Sequence, residues 1–402
     1  MSLVLGVVLF ALALLVSIAW HELGHMWAAQ ATGMKVRRYF VGFGPTVWST
    51  RRGETEYGVK ALPLGGFCDI AGMTPHEELT DDERRRAMYA QPTWKRLVVL
   101  FAGPMQNFVL GFVLIVVLAL GWGLPILGDK PVYASSTECI APSTDAQGRL
   151  TECSGPAPAA AAGVETGDQI VAVDGHDVTD SADLVQHVQA STGSVVLTVD
   201  RDGDRLDLTV PVTQVQRMVQ RDGEAPTSAE VGAIGVGLQT EYTRQYDALS
   251  VWGGAVGFSG DLVKETFKAL VSLPSKVAGL WHAVTGGERA VDSPVSVVGA
   301  SVLGGEAVER GYWDMFFGLL LSVNFFLGAF NLVPLLPLDG GHMAIALFEK
   351  VRNTIRRWRG KIAAGPVDYY KLLPITYAVV IVMGGFMLLT LTADIVNPIK
   401  VF

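Results

Sequence analysis

A soluble chain of 402 residues would normally fold as two or three domains, but half of this one is hydrophobic and only 17% is charged. Soluble domains carry about a quarter of charged residues, and a formal net charge of −8 excludes both a disordered chain and a nucleic-acid binder. The charge is also sorted along the chain. Residues 28–96 carry 11 basic against 8 acidic side chains, residues 129–310 carry 12 against 25, and residues 342–372 carry 7 against 2.

Four stretches lack Asp, Glu, Lys, Arg and His: Leu3–Trp20, Leu97–Leu127, Met315–Leu338 and Leu372–Ala393. A membrane-crossing helix needs about 20 apolar residues, which the first stretch only just approaches. That stretch has no basic segment before it and no small-residue cleavage site after it, so a retained helix is expected rather than a signal peptide. Basic loops stay in the cytoplasm. Residues 28–96 and 342–372 are therefore expected inside and 129–310 outside, so the residues near Trp20 and near Leu338 meet the same inner face. The predicted segments are 1–27 (first span), 28–96 (inner β-rich segment), 97–127 (second span), 129–242 (outer domain) and 243–311 (amphipathic helices on the outer membrane surface). They continue with 312–341 (third span), 342–371 (inner loop), 372–394 (fourth span) and 395–402 (tail).

At the inner end of the first span stands His21-Glu22-Leu23-Gly24-His25. On a helix, residues four apart share a face, so both imidazoles can grip one metal ion, with Glu22 beside them to take a proton from water. Zinc suits such ligands and in catalytic sites takes three from the protein. Topology brings Asp339 to the same depth, after Asn331 and the helix-breaking Pro334 and Pro337. His342 is the alternative third ligand, and a simple turn before Gly340-Gly341 is the bland use of Asp339. Tyr39–Trp48 and Glu56–Phe67 alternate like strands broken by glycines, offering an edge that could hold an extended peptide.

Together these residues resemble the site-2 protease family, the intramembrane zinc metalloproteases. The matching pieces are His21–His25, Gly42-Phe43-Gly44-Pro45, Leu62-Pro63-Leu64-Gly65-Gly66-Phe67, Phe101-Ala102-Gly103-Pro104-Met105-Gln106-Asn107 and Leu338-Asp339-Gly340-Gly341. The resemblance implies one Zn2+ ion on His21, His25 and Asp339, with Glu22 as general base. It also implies substrate contacts at Asn331, Gly65 and Gly66. One departure is that the second proline after Asn331 is shifted by one position, to Pro337.

Residues 129–242 are acidic and strand-patterned, and Ala159 to Gly175 resemble the helix–turn–strand segment of bacterial PDZ domains. Such a groove captures extended peptides; a steric filter against untrimmed ectodomains is the other role open to it. Cys139 and Cys153 lie in this segment, where an outside location permits a disulfide and free thiols are the alternative. The expected class is thus a polytopic α-helical membrane protein with four transmembrane helices, a membrane-associated β-hairpin and one extracytoplasmic PDZ domain. It is expected in a bacterial plasma membrane of actinobacterial type, its active site near the cytoplasmic face. The implied activity is cleavage of single-span membrane proteins such as trimmed anti-sigma factors; the rival functions are a metal-ion transporter and a non-catalytic PDZ scaffold. The expected partners are such substrates and membrane lipids, with no nucleic acid; the basic residues of 352–361 are read as lipid anchors.

Overall fold

The computed structural model describes residues 2–74, 76–127, 131–143, 153, 157–219, 227–239, 243–290 and 292–399. In chain order it begins with α1 (Leu3–Ala31), β1 (Val36–Arg52), β2 (Thr55–Ile70), α2 (Asp81–Arg86) and α3 (Thr93–Gly121). There follow β3 (Leu124–Pro125), β4 (Val132–Thr137), α4 (Pro158–Ala161), β5 (Gln169–Val173), β6 (His176–Asp177) and α5 (Ser181–Ala190). Next come β7 (Gly193–Arg201), β8 (Asp204–Val219), β9 (Thr227–Ala233), β10 (Val236–Leu238) and β11 (Thr243–Arg244). The chain closes with α6 (Val251–Val284), α7 (Val297–Arg310), α8 (Trp313–Asn331), α9 (Asp339–Trp358) and α10 (Leu373–Val396). These elements form two compact units, one of residues 1–122 and 245–402, the other of residues 123–244.

Among the described residues of the first unit, four helical stretches are long and apolar enough to cross a membrane: Leu3–Ala31, Thr93–Gly121, Trp313–Asn331 and Tyr369–Val396. Lipid supplies no hydrophobic force between helices, so small residues and buried polar groups join them. A Cβ on Gly24 of α1 would lie 2.4 Å from the Ala102 carbonyl of α3, and one on Gly111 of α3 would lie 2.5 Å from the Phe325 ring of α8. Asn324 of α8 is fully buried and donates to the Ser17 hydroxyl of α1 at 3.1 Å. The α10 helix is different: none of its most apolar window is buried. It is held at its end, where Asp394 accepts from Arg289 at 2.7 Å and from the Ser296 N–H at 2.6 Å.

Strands β1 and β2 form one long antiparallel hairpin that folds back on itself, so that Tyr39 pairs with both Tyr57 and Cys68. The bend falls at Gly42, whose φ of +92° suits glycine and where a Cβ would lie 2.8 Å from the Lys60 carbonyl. The Tyr39 hydroxyl donates to the Ala19 carbonyl at 2.7 Å, tying the hairpin to α1 just before His21.

The second unit is a sheet in the order β10-β4-β5-β7-β8-β9, with β6 beside β5 and antiparallel pairing throughout. Ile170, Leu184, Val195, Leu197, Val199 and Val210 fill its core. Arg201 grips the buried Asp168 carboxylate through Nε and Nη2, each at 2.7 Å. Cys139 and Cys153 are joined as a disulfide, their Cα atoms 5.8 Å apart; residues 144–152 of the loop between them lie outside the described residues.

The helix bounds refine three of the expected segments. The third span ends at Asn331, and Asp339 opens a new helix instead of closing the old one; the prolines between them interrupt the helical hydrogen bonds, as prolines do. The predicted loop 342–371 is largely helix α9, in which Leu347, Phe348, Val351, Ile355 and Trp358 recur at helical spacing among the basic residues. Residues 297–310, expected within the surface-helix segment, form α7, which packs on α1. A Cβ on Gly304 would lie 2.2 Å from the Phe10 ring, and one on Gly6 would lie 2.6 Å from the Gly305 carbonyl.

Candidate metal and catalytic site

His21 and His25 lie in the interior of α1, which continues to Ala31, so the helix itself presents them one above the other. Asp339 arrives as the first residue of α9. The two glycines after it let the chain turn so tightly: a Cβ on Gly340 would lie 2.3 Å from the Leu332 carbonyl, and one on Gly341 would lie 2.6 Å from the Leu335 carbonyl carbon. The Leu336–Pro337 peptide bond in this turn is cis.

The three donor atoms converge. His21 Nε2 and His25 Nε2 are 3.2 Å apart, and Asp339 Oδ2 lies 3.2 Å from the first and 3.3 Å from the second. A tetrahedral zinc with bonds of about 2.0–2.1 Å holds its ligands about 3.3–3.4 Å apart, so the triangle already has the spacing of one face of such a tetrahedron. All three side chains are buried or nearly so. His25 Nδ1 faces the Val99 carbonyl at 2.8 Å. A carbonyl only accepts, so Nδ1 carries the hydrogen and Nε2 keeps a free lone pair, the tautomer that a metal ligand needs. The donor set fits a zinc ion.

Glu22 is half-buried. Together with His25, Cys68 and Asp339 it lines a cavity of about 150 Å³. A Cβ on Gly66 would stand 3.6 Å from Glu22 Cγ, so the Gly65–Gly66 stretch of β2 passes directly beside the acid. Asn331 is the last residue of α8, just before the turn that leads to Asp339. His342 lies apart from the ligand triangle: its Nδ1 faces the Tyr369 hydroxyl at 3.2 Å, and burial holds its pKa below the ordinary value. Burial, with Glu22 and Asp69 near, pushes the Cys68 thiol up.

Two residues that sequence reasoning quoted only as part of a motif prove to touch the ligands. Gly103 of α3 lies so close that a Cβ there would be 2.2 Å from His25 Nε2 and 2.8 Å from His21 Nε2. Asn107, one turn further and 1% exposed, faces His21 Nδ1 at 3.1 Å through its side-chain amide. Their signal was the i, i+4 spacing, which puts both on the face of α3 turned to α1. A second cluster, His176, Asp183 and His187, lies in the other unit and is partly exposed.

Helices that cross a membrane and a buried two-histidine, one-aspartate site define a membrane metallopeptidase, and comparison with known proteins agrees. Residues 9–375 match the model of peptidase family M50. The chain is 53% identical over 405 aligned positions to the zinc metalloprotease Rip1 of Mycobacterium tuberculosis, and 52% identical to that of Mycolicibacterium smegmatis. These alignments cover 100% and 99% of both partners. It is also 28% identical to the metalloprotease MmpA of Caulobacter vibrioides over 85% of each chain. The chain therefore belongs to peptidase family M50, the site-2 proteases, and is a multi-pass membrane protein of that family.

Proposed function

We propose that the protein is an intramembrane zinc metalloprotease that hydrolyses peptide bonds within or near the membrane segment of single-span proteins. The observation that carries this reading is the buried triangle of His21, His25 and Asp339, with Glu22 beside it in the same cavity. Those three residues would hold zinc, which would supply Lewis acidity for activating water and polarising the scissile carbonyl. Glu22 takes the proton from the attacking water and then gives it to the leaving amine. The half-buried position of Glu22 in the cavity it shares with His25 and Asp339 supports that role.

A helical substrate hides its carbonyls, so a segment must unwind before it is cut. We assign Gly65 and Gly66 to the strand edge that receives it, since this stretch runs past Glu22. Asn331 is assigned to positioning the substrate or stabilising the oxyanion. The charge pattern supports a cytoplasmic-side catalytic centre and an outer 123–244 unit; the resemblance of Ala159 to Gly175 supports reading that unit as a PDZ domain, which either captures peptides or screens out bulky ectodomains. The basic, amphipathic α9 suits contact with anionic lipid. Substrates of this kind include membrane-bound anti-sigma factors already trimmed outside. A transporter would leave Glu22 without a task. The test is cleavage of a model single-span substrate by purified wild type and by Glu22→Gln. The reading expects the variant to be inactive yet zinc-loaded; cleavage surviving in it would sink the assignment.

A further inference from the structure

An imidazole that binds a metal through one nitrogen carries its hydrogen on the other, and the group receiving that hydrogen fixes tautomer and ring orientation. For His25 this group is the Val99 carbonyl. For His21 the group facing Nδ1 is the Asn107 amide, 3.1 Å away. His21 Nε2 belongs to the donor triangle, so it must be bare when a cation binds, and Nδ1 must then bear the hydrogen. Whatever faces Nδ1 must accept.

An asparagine amide has one donating and one accepting end, interchanged by a half-turn about its last bond. With the nitrogen toward His21, Nδ1 is forced to accept and the hydrogen moves to Nε2, which closes the atom that the cation needs. In that orientation the Asn107 Oδ1 is also buried without a partner, a costly position for a carbonyl. With the oxygen toward His21, Nδ1–H is satisfied and Nε2 is free. We propose that Asn107 is a positioning residue for the metal: its amide oxygen accepts from His21 Nδ1–H and holds His21 in the metal-binding tautomer.

The neighbourhood fits this role. Asn107 lies on α3 one turn from Gly103, whose missing side chain lets α3 press against both imidazoles. The Trp20 indole donates to the Gln106 carbonyl at 3.0 Å, which pins this turn of α3 beside His21. The inference rests on the reading of His21 as a ligand.

The test uses the full-length protein in detergent micelles, with zinc affinity measured by competition against a chromophoric chelator. Asn107→Leu matches the shape but cannot accept, and its zinc affinity is expected to fall about 10- to 100-fold, the usual effect of removing such a partner. Asn107→Asp can only accept and is expected to bind zinc at least as tightly as wild type, a rescue that a merely space-filling role does not predict. Wild-type affinity in Asn107→Leu would overturn the proposal, as would a tenfold loss in Asn107→Asp, which decides the matter even if the leucine variant fails to fold. His21→Ala separates the underlying reading: unchanged zinc affinity in that variant removes His21 from the site, and the Asn107 proposal falls with it.

Discussion

Replacing Gly103 by alanine adds one methyl group at the point where α3 meets the two imidazoles. The new Cβ would lie 2.2 Å from His25 Nε2, 2.5 Å from His25 Cε1 and 2.8 Å from His21 Nε2. Ordinary van der Waals contact begins at 3.4 Å, so His25 Nε2 must retreat by 3.4 − 2.2 = 1.2 Å or α3 must move off α1 by as much. Metal–ligand distances tolerate only about 0.2 Å, so the displacement is several times what the site can absorb. Moving α3 off α1 instead would open the close contact of Gly24 with the Ala102 carbonyl that sets the two helices side by side. Since disturbing only the partner behind a ligand costs about 10- to 100-fold in metal affinity, displacing a ligand itself should cost more than 100-fold. The helix does not suffer, since alanine exceeds glycine in helix propensity by about 1 kcal/mol. The assay is zinc content after dialysis against a chelator, alongside substrate cleavage and a thermal melt. Gly103→Ala should melt near the wild type yet carry no zinc and cut nothing. A variant that keeps full zinc and activity would refute the packing argument.

Other consequences can be checked on the same preparation. Hydrogen bonding from Arg201 holds the buried Asp168 carboxyl below its usual pKa, against the opposing effect of burial. A depressed carboxyl pKa stabilises the fold above the unfolded value near about 4, and the benefit is lost as pH falls through the folded value. Asp168→Asn should therefore melt lower than wild type at pH 7, with a shallower loss of stability below about pH 4; identical pH profiles would contradict this. Reducing the Cys139–Cys153 bridge, or replacing both cysteines by serine, should lower the stability of the 123–244 unit by about 3 kcal/mol, as expected for a closed loop of this length; denaturant unfolding measures it. The Arg289–Asp394 pair is almost fully buried, so Asp394→Ala alone should cost about 3–5 kcal/mol. The double variant Arg289→Met with Asp394→Leu should recover much of that loss.

Much of the architecture was legible because membrane helices announce themselves by what they lack. The uncharged runs coincide with the apolar helices, and the HExxH spacing has meaning only on a helix, which α1 supplies through His25 and beyond. Asp339 was found as a candidate by depth alone; its position at the start of a helix was not, because the uncharged run from Met315 hides the break after Asn331. The α9 helix was missed because its charge was used to orient the chain, which drew attention from the apolar residues interleaved at helical spacing. The packing of α7 on α1 depends on Gly6, Gly304 and Gly305 meeting backbone to backbone, a contact between residues far apart in sequence that no local pattern encodes. Gly103 and Asn107 stood in view as motif letters. Their work against His21 and His25 exists only once α1 and α3 are side by side.

The central claim is that His21, His25 and Asp339 hold one zinc ion, and zinc-edge X-ray absorption on the metal-quantified full-length protein tests it most directly. The account predicts one zinc per chain, bound only by nitrogen and oxygen at about 2.0–2.2 Å with two imidazoles in the shell, and its loss in Asp339→Ala. A protein that holds no zinc, or a sulfur ligand at about 2.3 Å drawing Cys68 into the shell, would contradict it.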